Sequence, residues 1–427
     1  MIPVQETRHR RRSQRSFEEF DWHLLGIALV LTLIGLTFVW STTHTDSDAA
    51  GLVPRQILYV GAVLPLVALM LRFPYPLLAR LAVPAYLSVI LLLLFLLMAS
   101  NDSIRSTKSW IRLPMGFSLQ PSEFAKVAVV LIVAAYLRFR PKPKRLKDLV
   151  GPFALTLFPM LLVARQPDLG SAIIMLPVLL AMLFSWGMPI RLLSAILGGG
   201  LLICVALYFS PLMHDYQRLR IRSFFESIPE QTEIARELRA DGRHLEAARA
   251  ERRLRSMKQG GNFQVYHAMI SIGSGGVFGK GIGRGPQNRL DYLPERHNDF
   301  IFAVVGEEWG FVGASIILGL YFLLVVIMLG VARRTRDAFG RLICVGIATL
   351  FGFQVFLNTG VATGLLPVTG VTLPFMSFGG SSMLCSYIAL ALVLNVGAHR
   401  ITVLEGESFR GTTFGESDRP MGARRRS

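Results

Sequence analysis

Apolar residues in this chain come in runs of about twenty, separated by shorter polar connections, and a helix needs about 20 apolar residues to cross a bilayer. The pattern predicts an all-α polytopic membrane protein with about ten transmembrane helices. The predicted spans cover residues 22–41, 52–71, 77–98, 122–138, 149–164, 171–187, 190–210, 300–332, 341–366 and 381–398. The first run is too long for a signal peptide and lacks a small-residue cleavage site, so we interpret it as a retained helix.

The spans divide the chain into five parts. These are an N-terminal tail (1–21), seven helices (22–210), a large loop (211–299), three helices (300–398) and a C-terminal tail (399–427). Within the large loop, the charged stretch 230–258 predicts solvated helices. The Gly-rich stretch 263–283 has too short an apolar run to span and predicts a re-entrant segment.

Charge decides the predicted orientation. The net charge of +17 could indicate a nucleic-acid partner, but Lys and Arg concentrate in both tails and in two short connections, 138–147 and 333–341. Such clusters are typical of cytoplasmic loops. We therefore predict that both termini are cytoplasmic and that the large loop is extracytoplasmic. A hydrophobic fraction of 52% excludes an ordinary soluble domain.

The predicted outer face nevertheless carries many cations, although short outer loops are normally poor in Lys and Arg. These are Arg105, Lys108, Arg112, Arg165, Arg218, Arg220, Arg222, Lys280, Arg284, Arg289 and Arg296. Cations kept at disfavoured positions indicate an anionic ligand such as a phosphate or diphosphate. The alternative is that long loops are exempt from this rule. That exemption would account for most of the cations in the stretch 211–299.

Asp299 stands where the eighth span is predicted to begin, and it is the candidate catalytic residue. It could be a helix N-cap, a role that suits Asp and does not exclude catalysis. It could also be a general base that takes a proton from a sugar hydroxyl. Glu307 and Glu308 would lie about 12 Å deeper on a continuous helix at ~1.5 Å per residue, too far for a close carboxylate pair with Asp299. One base plus cations favours transfer from a lipid diphosphate, and the two glutamates are more readily explained as structural partners in the bundle interior.

Other motifs allow a structural and a functional interpretation. Residues 120–126 combine a Pro in the first helical turn with a Glu123–Lys126 pair at i, i+3, and a Trp and an Arg at 110 and 112 suit a lipid headgroup. Asp168 could cap a helix or line a site, and residues 377–381 could form a turn or an anion-binding nest. The Gly-rich stretch 273–281 fails the phosphate-loop pattern and indicates only a permissive backbone, which could still bring amide groups to a phosphate.

Together these motifs resemble the SEDS proteins (shape, elongation, division and sporulation), which include RodA and FtsW. The resemblance runs in order through residues 110–126, 166–170, 272–281, 293–308 and 366–381. It implies a peptidoglycan glycosyltransferase that polymerises lipid II outside the cytoplasmic membrane, with a class B penicillin-binding protein as partner. The stretches 294–297 and 366–370 look more like RodA than FtsW, which favours a role in elongation and cell shape over cell division. Asn298, where the family usually has Thr, is a departure.

The resemblance implies that Asp299 is the catalytic base. The candidate substrate-binding residues are Trp110, Arg112, Gln120, Glu123, Lys126, Asp168, Arg218, Arg220, Lys280, His297, Ser377, Gly379 and Gly380. A divalent cation (Mg²⁺ or Mn²⁺) could share the neutralisation of the diphosphate, but no ligand cluster in the sequence identifies one. Three alternatives stay open: a lipid II flippase, another lipid-diphosphate transferase such as an O-antigen polymerase or ligase, and a structural scaffold.

Overall fold

A computed structural model of the chain describes residues 21–44, 51–99, 111–112, 118–166, 168–209, 261–289 and 296–408, and three isolated positions, 233, 237 and 240. The helices in this part of the chain are α1 (Trp22–Thr43), α2 (Leu52–Arg72), α3 (Tyr75–Ala99), α4 (Pro121–Leu137), α5 (Val150–Arg165), α6 (Leu169–Trp186), α7 (Ile190–Phe209), α8 (Gly261–Gly275), α9 (Pro286–Arg289), α10 (Ile301–Glu308), α11 (Gly310–Arg334), α12 (Ala338–Ala362) and α13 (Gly380–Ser408). A 3₁₀ turn, Leu146–Leu149, precedes α5.

Nine of the ten predicted spans each overlap one α-helix of the described residues, and the eighth overlaps two. Among the described residues, eight helical stretches are long and apolar enough to cross a membrane: Trp22–Thr43, Leu52–Arg72, Tyr75–Met98, Leu146–Arg165, Leu169–Trp186, Gly310–Arg334, Ala338–Ala362 and Gly380–His399. Helix α4 has 17 residues, and the apolar part of α7 covers Ile190–Gly200. The all-α polytopic class is confirmed.

The predicted eighth span, 300–332, is wrong as a single helix. It breaks at Trp309 between α10 and α11, where Gly310 has a φ of +66°. The Gly-rich turn after α8 inserts at the break, so that a Cβ on Gly310 would lie 2.3 Å from the Gly279 nitrogen. Peptide groups freed by the break pair with this turn: Lys280 N donates to Glu307 O, and Phe311 N donates to Gly276 O. The break depends on a partner distant in sequence, which periodicity cannot reveal.

Helices α12 and α13 form the centre of the bundle. Within their most apolar windows, 67% and 83% of the residues are buried, against 22% for both α2 and α3. Side chains on α2 and α3 such as Leu58, Leu91 and Phe95 are exposed, as expected for a surface that faces lipid. Buried polar side chains bond the helices to one another; for example, Asn395 donates to the carbonyls of Met70 and Phe73.

The large loop is described only in part. Most of the predicted re-entrant stretch 263–283 lies in α8 and the turns after it, and α8 packs against α10. The predicted helical insertion 230–258 falls outside the described residues except for three exposed helical positions, 233, 237 and 240. Helix α13 continues to Ser408, beyond the predicted end of the last span at 398.

A short antiparallel hairpin precedes α4. Strand β1 (Ile111–Arg112) pairs with β2 (Ser118–Leu119), so that Ile111 faces Leu119 and Arg112 faces Ser118. The Ser381 hydroxyl at the start of α13 donates to the Ser118 carbonyl and accepts from the Gln120 nitrogen, both at 2.9 Å. The hairpin therefore joins the N-terminal ends of α4 and α13.

Candidate functional site

One end of the bundle, here called the site end, brings together loops that are far apart in sequence. Hydrogen bonds join the last turns of α1 and α12 directly to the turn 296–300. The start of α2 bonds Ser377, which in turn bonds Asn298, and the start of α4 bonds the starts of α6 and α13. The predicted outer stretches at 118–121, 166–170 and 367–380 therefore meet at one end. Asn395 and the basic connections 138–147 and 333–341 lie at the opposite end.

Asp299 lies at the site end and is partly exposed. The Asn358 amide on α12 donates to its carbonyl at 2.7 Å, and a Cβ on Gly370 would lie 3.6 Å from its Oδ2. Helix α10 begins at Ile301 with Phe300 at the N-cap position, so Asp299 precedes the cap and the predicted N-cap role is wrong. The turn 296–300, held by tertiary hydrogen bonds, delays the start of the helix.

The loop between α12 and α13 holds the backbone beside Asp299. The Ser377 hydroxyl donates to the Asn298 carbonyl at 2.7 Å and accepts from the Leu373 nitrogen at 2.8 Å. The Phe378 nitrogen donates to the His297 carbonyl at 2.9 Å, and the two rings meet edge to face with centroids 5.8 Å apart. Ser377 and His297, both predicted site residues, are therefore brought next to Asp299.

Gln56, inside the apolar run of α2, completes this loop. Its amide nitrogen donates to the Ser377 carbonyl at 3.2 Å, and its amide oxygen accepts from the Gly379 nitrogen at 3.3 Å. A Cβ on Gly380 would lie 3.0 Å from the Tyr59 ring, so glycine permits this close approach of α13 to α2. The two predicted glycines act here as backbone elements of the loop.

Asp168 caps α6, as one interpretation of the sequence predicted: its Oδ1 accepts from the Ser171 nitrogen at 3.1 Å. Its other oxygen, Oδ2, accepts from the Gln120 amide at 3.0 Å and from the Ser122 hydroxyl at 2.6 Å. The cap therefore also aligns the N-termini of α4 and α6, which carry partial positive charge. The start of α6 also packs closely against the loop between α12 and α13, because a Cβ on Gly170 would lie 2.2 Å from the Thr369 carbonyl oxygen.

Glu123 and Lys126 form the predicted i, i+3 pair on α4, with 2.7 Å between Oε1 and Nζ. Their side chains are only 8% and 3% exposed. A buried ammonium needs a charged or hydrogen-bonding partner, and here the carboxylate one turn away supplies it.

Two buried carboxylates form a separate group at the far end of α10, which we call the acid cluster: Glu307, Glu308, Lys280, Asn288 and Ser41. Glu308 accepts from the Ser41 hydroxyl at 2.6 and 2.7 Å and from the Asn288 amide at 2.9 Å. Glu307 accepts from the Asn288 nitrogen at 3.3 Å and lies 3.6 Å from the Lys280 ammonium. Both glutamates have structural partners.

Burial raises the pKa of Glu307, while the Lys280 ammonium and bonds from the backbone nitrogens of residues 287 and 288 oppose that shift. The predicted depth of the pair is wrong. Glu308 bonds Ser41 in the last turn of α1, and Asp299 bonds Asn358 close to the end of α12, so both ends of α10 lie at the site end.

The predicted residues thus separate into four groups. Glu123 and Lys126 pair with each other on α4 and form one of them. The other three are as follows. The first, around Asp299 and its neighbouring loops, contains Gln120, Asp168, His297, Ser377, Gly379 and Gly380. Lys280 belongs instead to the acid cluster, where it also donates to the Ser274 hydroxyl at 2.7 Å. Trp110, Arg218, Arg220 and the Arg112 side chain lie outside the described residues.

Two residues that hold the site were missed from the sequence, Gln56 and Asn358. Each is an uncharged polar residue within an apolar run, and such residues usually face the bundle interior or a functional cavity. That signal could have identified them.

In the part of the chain that the structure describes, no group of three or more His, Cys, Asp or Glu side chains is placed to hold a metal ion. Mg²⁺ is often bound by one or two carboxylates together with substrate phosphates. A cation at Asp299 would therefore take most of its ligands from the substrate.

Comparisons with known proteins identify one family. The sequence model of the FtsW/RodA/SpoVE family, described as "Cell cycle protein", matches residues 21–402. A probable peptidoglycan glycosyltransferase FtsW from Trichlorobacter lovleyi is 36% identical over 392 residues, covering 89% of this chain and 93% of that protein. The peptidoglycan glycosyltransferase MrdB from Escherichia coli K12 is 34% identical over 382 residues, covering 89% and 94%.

Solved structures agree with this match. A chain of a peptidoglycan synthase complex, described for its structural coordination of polymerization and crosslinking, superposes with a TM-score of 0.70 at 32% identity, covering 89% of this chain and 98% of that one. The rod shape determining protein RodA from Thermus thermophilus superposes with a TM-score of 0.62 at 30% identity, covering 89% and 97%.

Proposed function

Because this chain belongs to the FtsW/RodA/SpoVE family of cell cycle proteins, we propose that it is a peptidoglycan glycosyltransferase that polymerises lipid II, with Asp299 as the catalytic base. One observation supports the assignment to Asp299 above all. The end of α12 and the loop after it hold the turn that carries a partly exposed carboxylate at the site end, whereas the two carboxylates at the other end of α10, Glu307 and Glu308, are fully buried.

In the proposed reaction, the Asp299 carboxylate takes the proton of the 4-hydroxyl on the acceptor sugar. The hydroxyl oxygen then forms a bond to the anomeric carbon of a second lipid-linked sugar, and the bond from that carbon to the diphosphate breaks. Polyprenyl diphosphate leaves with the electron pair, and the configuration at the anomeric carbon inverts. A diphosphate is a good leaving group once cations neutralise it, so one base is enough.

Two of the cations predicted to contact the diphosphate already have carboxylate partners. Lys126 and Lys280 already face Glu123 and Glu307, so they have carboxylate partners before substrate binds. We therefore propose that the principal diphosphate contacts come from Arg112, Arg218 and Arg220, with Trp110 at the lipid headgroup. The helix N-termini aligned by Asp168 add partial positive charge to the same end.

The first test is Asp299→Asn, assayed for polymerisation of lipid II by the purified protein with its partner. Loss of a general base typically slows a reaction about 10²–10⁴-fold. Asp337→Asn is a matched control, because Asp337 caps α12 at the opposite end and Asn caps about as well as Asp. The control should polymerise normally. Polymerisation at the wild-type rate by Asp299→Asn would overturn the assignment.

The same preparation tests the flippase alternative. A flippase would move lipid II across a proteoliposome membrane without making glycan. Transport needs polar groups along the path through the bilayer, whereas the described polar residues around Asp299 gather at one end. Lipid II scrambling without product would reverse the proposal.

We propose a role in elongation and cell shape, on the likeness of residues 294–297 and 366–370 to RodA. A division role is the second candidate, because relatives named FtsW and MrdB match at similar identities of 36% and 34%. Depletion in the native bacterium separates the two roles: rounded cells would indicate elongation, and filaments would indicate division.

We also propose that the site end is extracytoplasmic and that both termini are cytoplasmic, which the basic connections at the opposite end support. Single cysteines can test this in a background without Cys204, Cys344 and Cys385. Leu365 at the site end and Lys144 at the opposite end are both exposed. An impermeant maleimide on intact cells should label position 365 and spare position 144; the reverse labelling would invert the topology.

The proposed partner is a class B penicillin-binding protein that crosslinks the glycan strands. The similarity to a chain of a peptidoglycan synthase complex supports it. Co-purification of the chain with such a transpeptidase, and faster polymerisation in its presence, are the expected results. No association with any class B enzyme of the same cell would contradict the proposal.

A further inference from the structure

The acid cluster and Arg296 form one continuous network that reaches the Asp299 turn. Arg296 is 6% exposed, and it lies three residues before Asp299 in the same turn. Its Nε donates to the Thr42 carbonyl at 3.1 Å, and a terminal nitrogen of its guanidinium donates to the Asn288 carbonyl at 2.9 Å. The guanidinium thus joins the turn to the end of α1 and to α9.

The Thr42 carbonyl is a favourable acceptor for a cation. The last carbonyls of a helix have no partner within the helix, and the C-terminal end carries partial negative charge. Thr42 lies in the last turn of α1, which ends at Thr43. A planar guanidinium offers two fixed donor directions at once, whereas a lysine ammonium acts as a single point of charge. The geometry therefore requires arginine in particular.

The second acceptor is itself held firmly. The Asn288 side chain donates to Glu308 at 2.9 Å and to the Ser41 carbonyl at 3.1 Å, and its backbone nitrogen donates to Glu307 at 3.3 Å. Glu307 and Glu308 end α10, and Arg296 precedes its start. Both ends of the segment 296–308 are therefore joined to the last turn of α1 through Asn288.

The opposite side of the turn is held by other elements. The carbonyls of His297, Asn298 and Asp299 accept from Phe378, Ser377 and Asn358, which belong to α12 and the loop after it. Without Arg296, the turn would keep these contacts and lose its direct bond to α1. Three residues span at most about 10 Å, so a shift at Arg296 is transmitted to Asp299.

We infer that Arg296 is a positioning residue for Asp299: its guanidinium, seated on Thr42 and on the Asn288 that the buried glutamates hold, keeps the carboxylate at reacting distance from the acceptor hydroxyl. This inference rests on the proposed function. A misplacement of about 1 Å can slow an enzyme about 10²-fold, while binding contacts elsewhere are unchanged. The expected signature is a lower kcat with an unchanged KM.

The test compares Arg296→Lys and Arg296→Met with wild type, all purified with the partner and normalised to folded protein by size-exclusion chromatography and thermal unfolding. We expect kcat for lipid II polymerisation to fall at least about 10-fold in Arg296→Met and less in Arg296→Lys, with KM within about twofold. The lysine variant keeps the charge and guards against a failure of Arg296→Met to fold.

Asn395→Ala is the matched control, because Asn395 is fully buried and donates to two helix-end carbonyls at the opposite end of the bundle. It should lower the unfolding temperature and leave kcat per folded molecule unchanged. Wild-type kcat in both Arg296 variants, or a rise in KM alone, would overturn the positioning role. Failure of the proposed function is distinct: wild type itself would make no glycan, or Asp299→Asn would equal it.

Discussion

Two carboxylate sites stand at opposite ends of one short helix and have different surroundings. Asp299, before α10, is partly exposed, and the contacts described around it hold its backbone. Glu307 and Glu308, at the end of α10, are 0% and 1% exposed and accept hydrogen bonds on their side-chain oxygens from α1 and α9. The carboxylates at the two ends of α10 therefore differ in how far they are exposed.

This difference separates a carboxylate suited to reaction from two suited to structure. A general base must reach its substrate and change protonation state in each cycle. A buried carboxylate enclosed by donors is costly to disturb, because each donor loses its partner when it is removed. Asp299→Asn should therefore change activity far more than stability, whereas loss of the Glu308 carboxylate should lower stability and also slow the reaction, because Glu308 holds the Asn288 that seats Arg296.

The largest expected effect on stability comes from Glu308→Leu. It leaves the Ser41 hydroxyl and the Asn288 amide without their carboxylate in a buried site, so the free energy of unfolding should fall by about 3–5 kcal/mol. The measurement is SDS-induced unfolding in mixed micelles. Asp299→Asn is the comparison and should lose less than about 1 kcal/mol. Equal losses would remove the distinction between the two ends.

A smaller loss of stability should follow Gly310→Ala at the break after α10. The residue has a φ of +66°, and its new Cβ would lie 2.3 Å from the Gly279 nitrogen, so we expect a loss of about 1–3 kcal/mol. The control is Gly319→Ala in the same helix α11, where a Cβ meets nothing within 4 Å. It should be neutral or stabilising. Similar unfolding temperatures for the two variants would show that the break can relax.

Gly170→Ala tests whether the loop between α12 and α13 influences Asp299, without changing a catalytic group. The added Cβ would lie 2.2 Å from the Thr369 carbonyl oxygen, so the loop that carries Gly370 must move relative to Asp299. We expect polymerisation to slow about tenfold, equivalent to about 1.4 kcal/mol in the activation barrier. Gly198→Ala on α7 meets no neighbour and serves as the control. An unchanged rate in Gly170→Ala would mean that the loop does not influence Asp299.

The smallest expected effect is a pH dependence at Glu307. Burial raises the pKa of this carboxyl in the folded state, so its stabilising contribution is complete below the unfolded pKa of about 4.3 and is lost as the pH rises through the folded pKa. Glu307→Gln imitates the protonated form. Its unfolding temperature should match that of wild type near pH 4 and exceed it at neutral pH. A higher unfolding temperature of Glu307→Gln than of wild type at acid pH, and not at neutral pH, would contradict the prediction.

Much of the helical framework could be predicted from the chain. The apolar runs correspond to the helices, since a span needs about 20 apolar residues whatever its neighbours are. The Asp168 cap and the Glu123–Lys126 pair were also predictable, because both are local: their partners lie three residues away. Gln56 and Asn358 could have been flagged as polar residues in apolar runs, but their partners could not be named.

The sequence by itself determined the fold class, the helical runs and the motifs that bear the family resemblance, because apolar length and short-range spacing act locally. Only the tertiary structure decided that the eighth run breaks at Gly310, that Asp299 is not an N-cap and that Lys280 faces Glu307. Each of these depends on groups far apart in sequence, whose contact follows from how the helices pack. For the same reason, only the structure revealed that Arg296 bonds the end of α1.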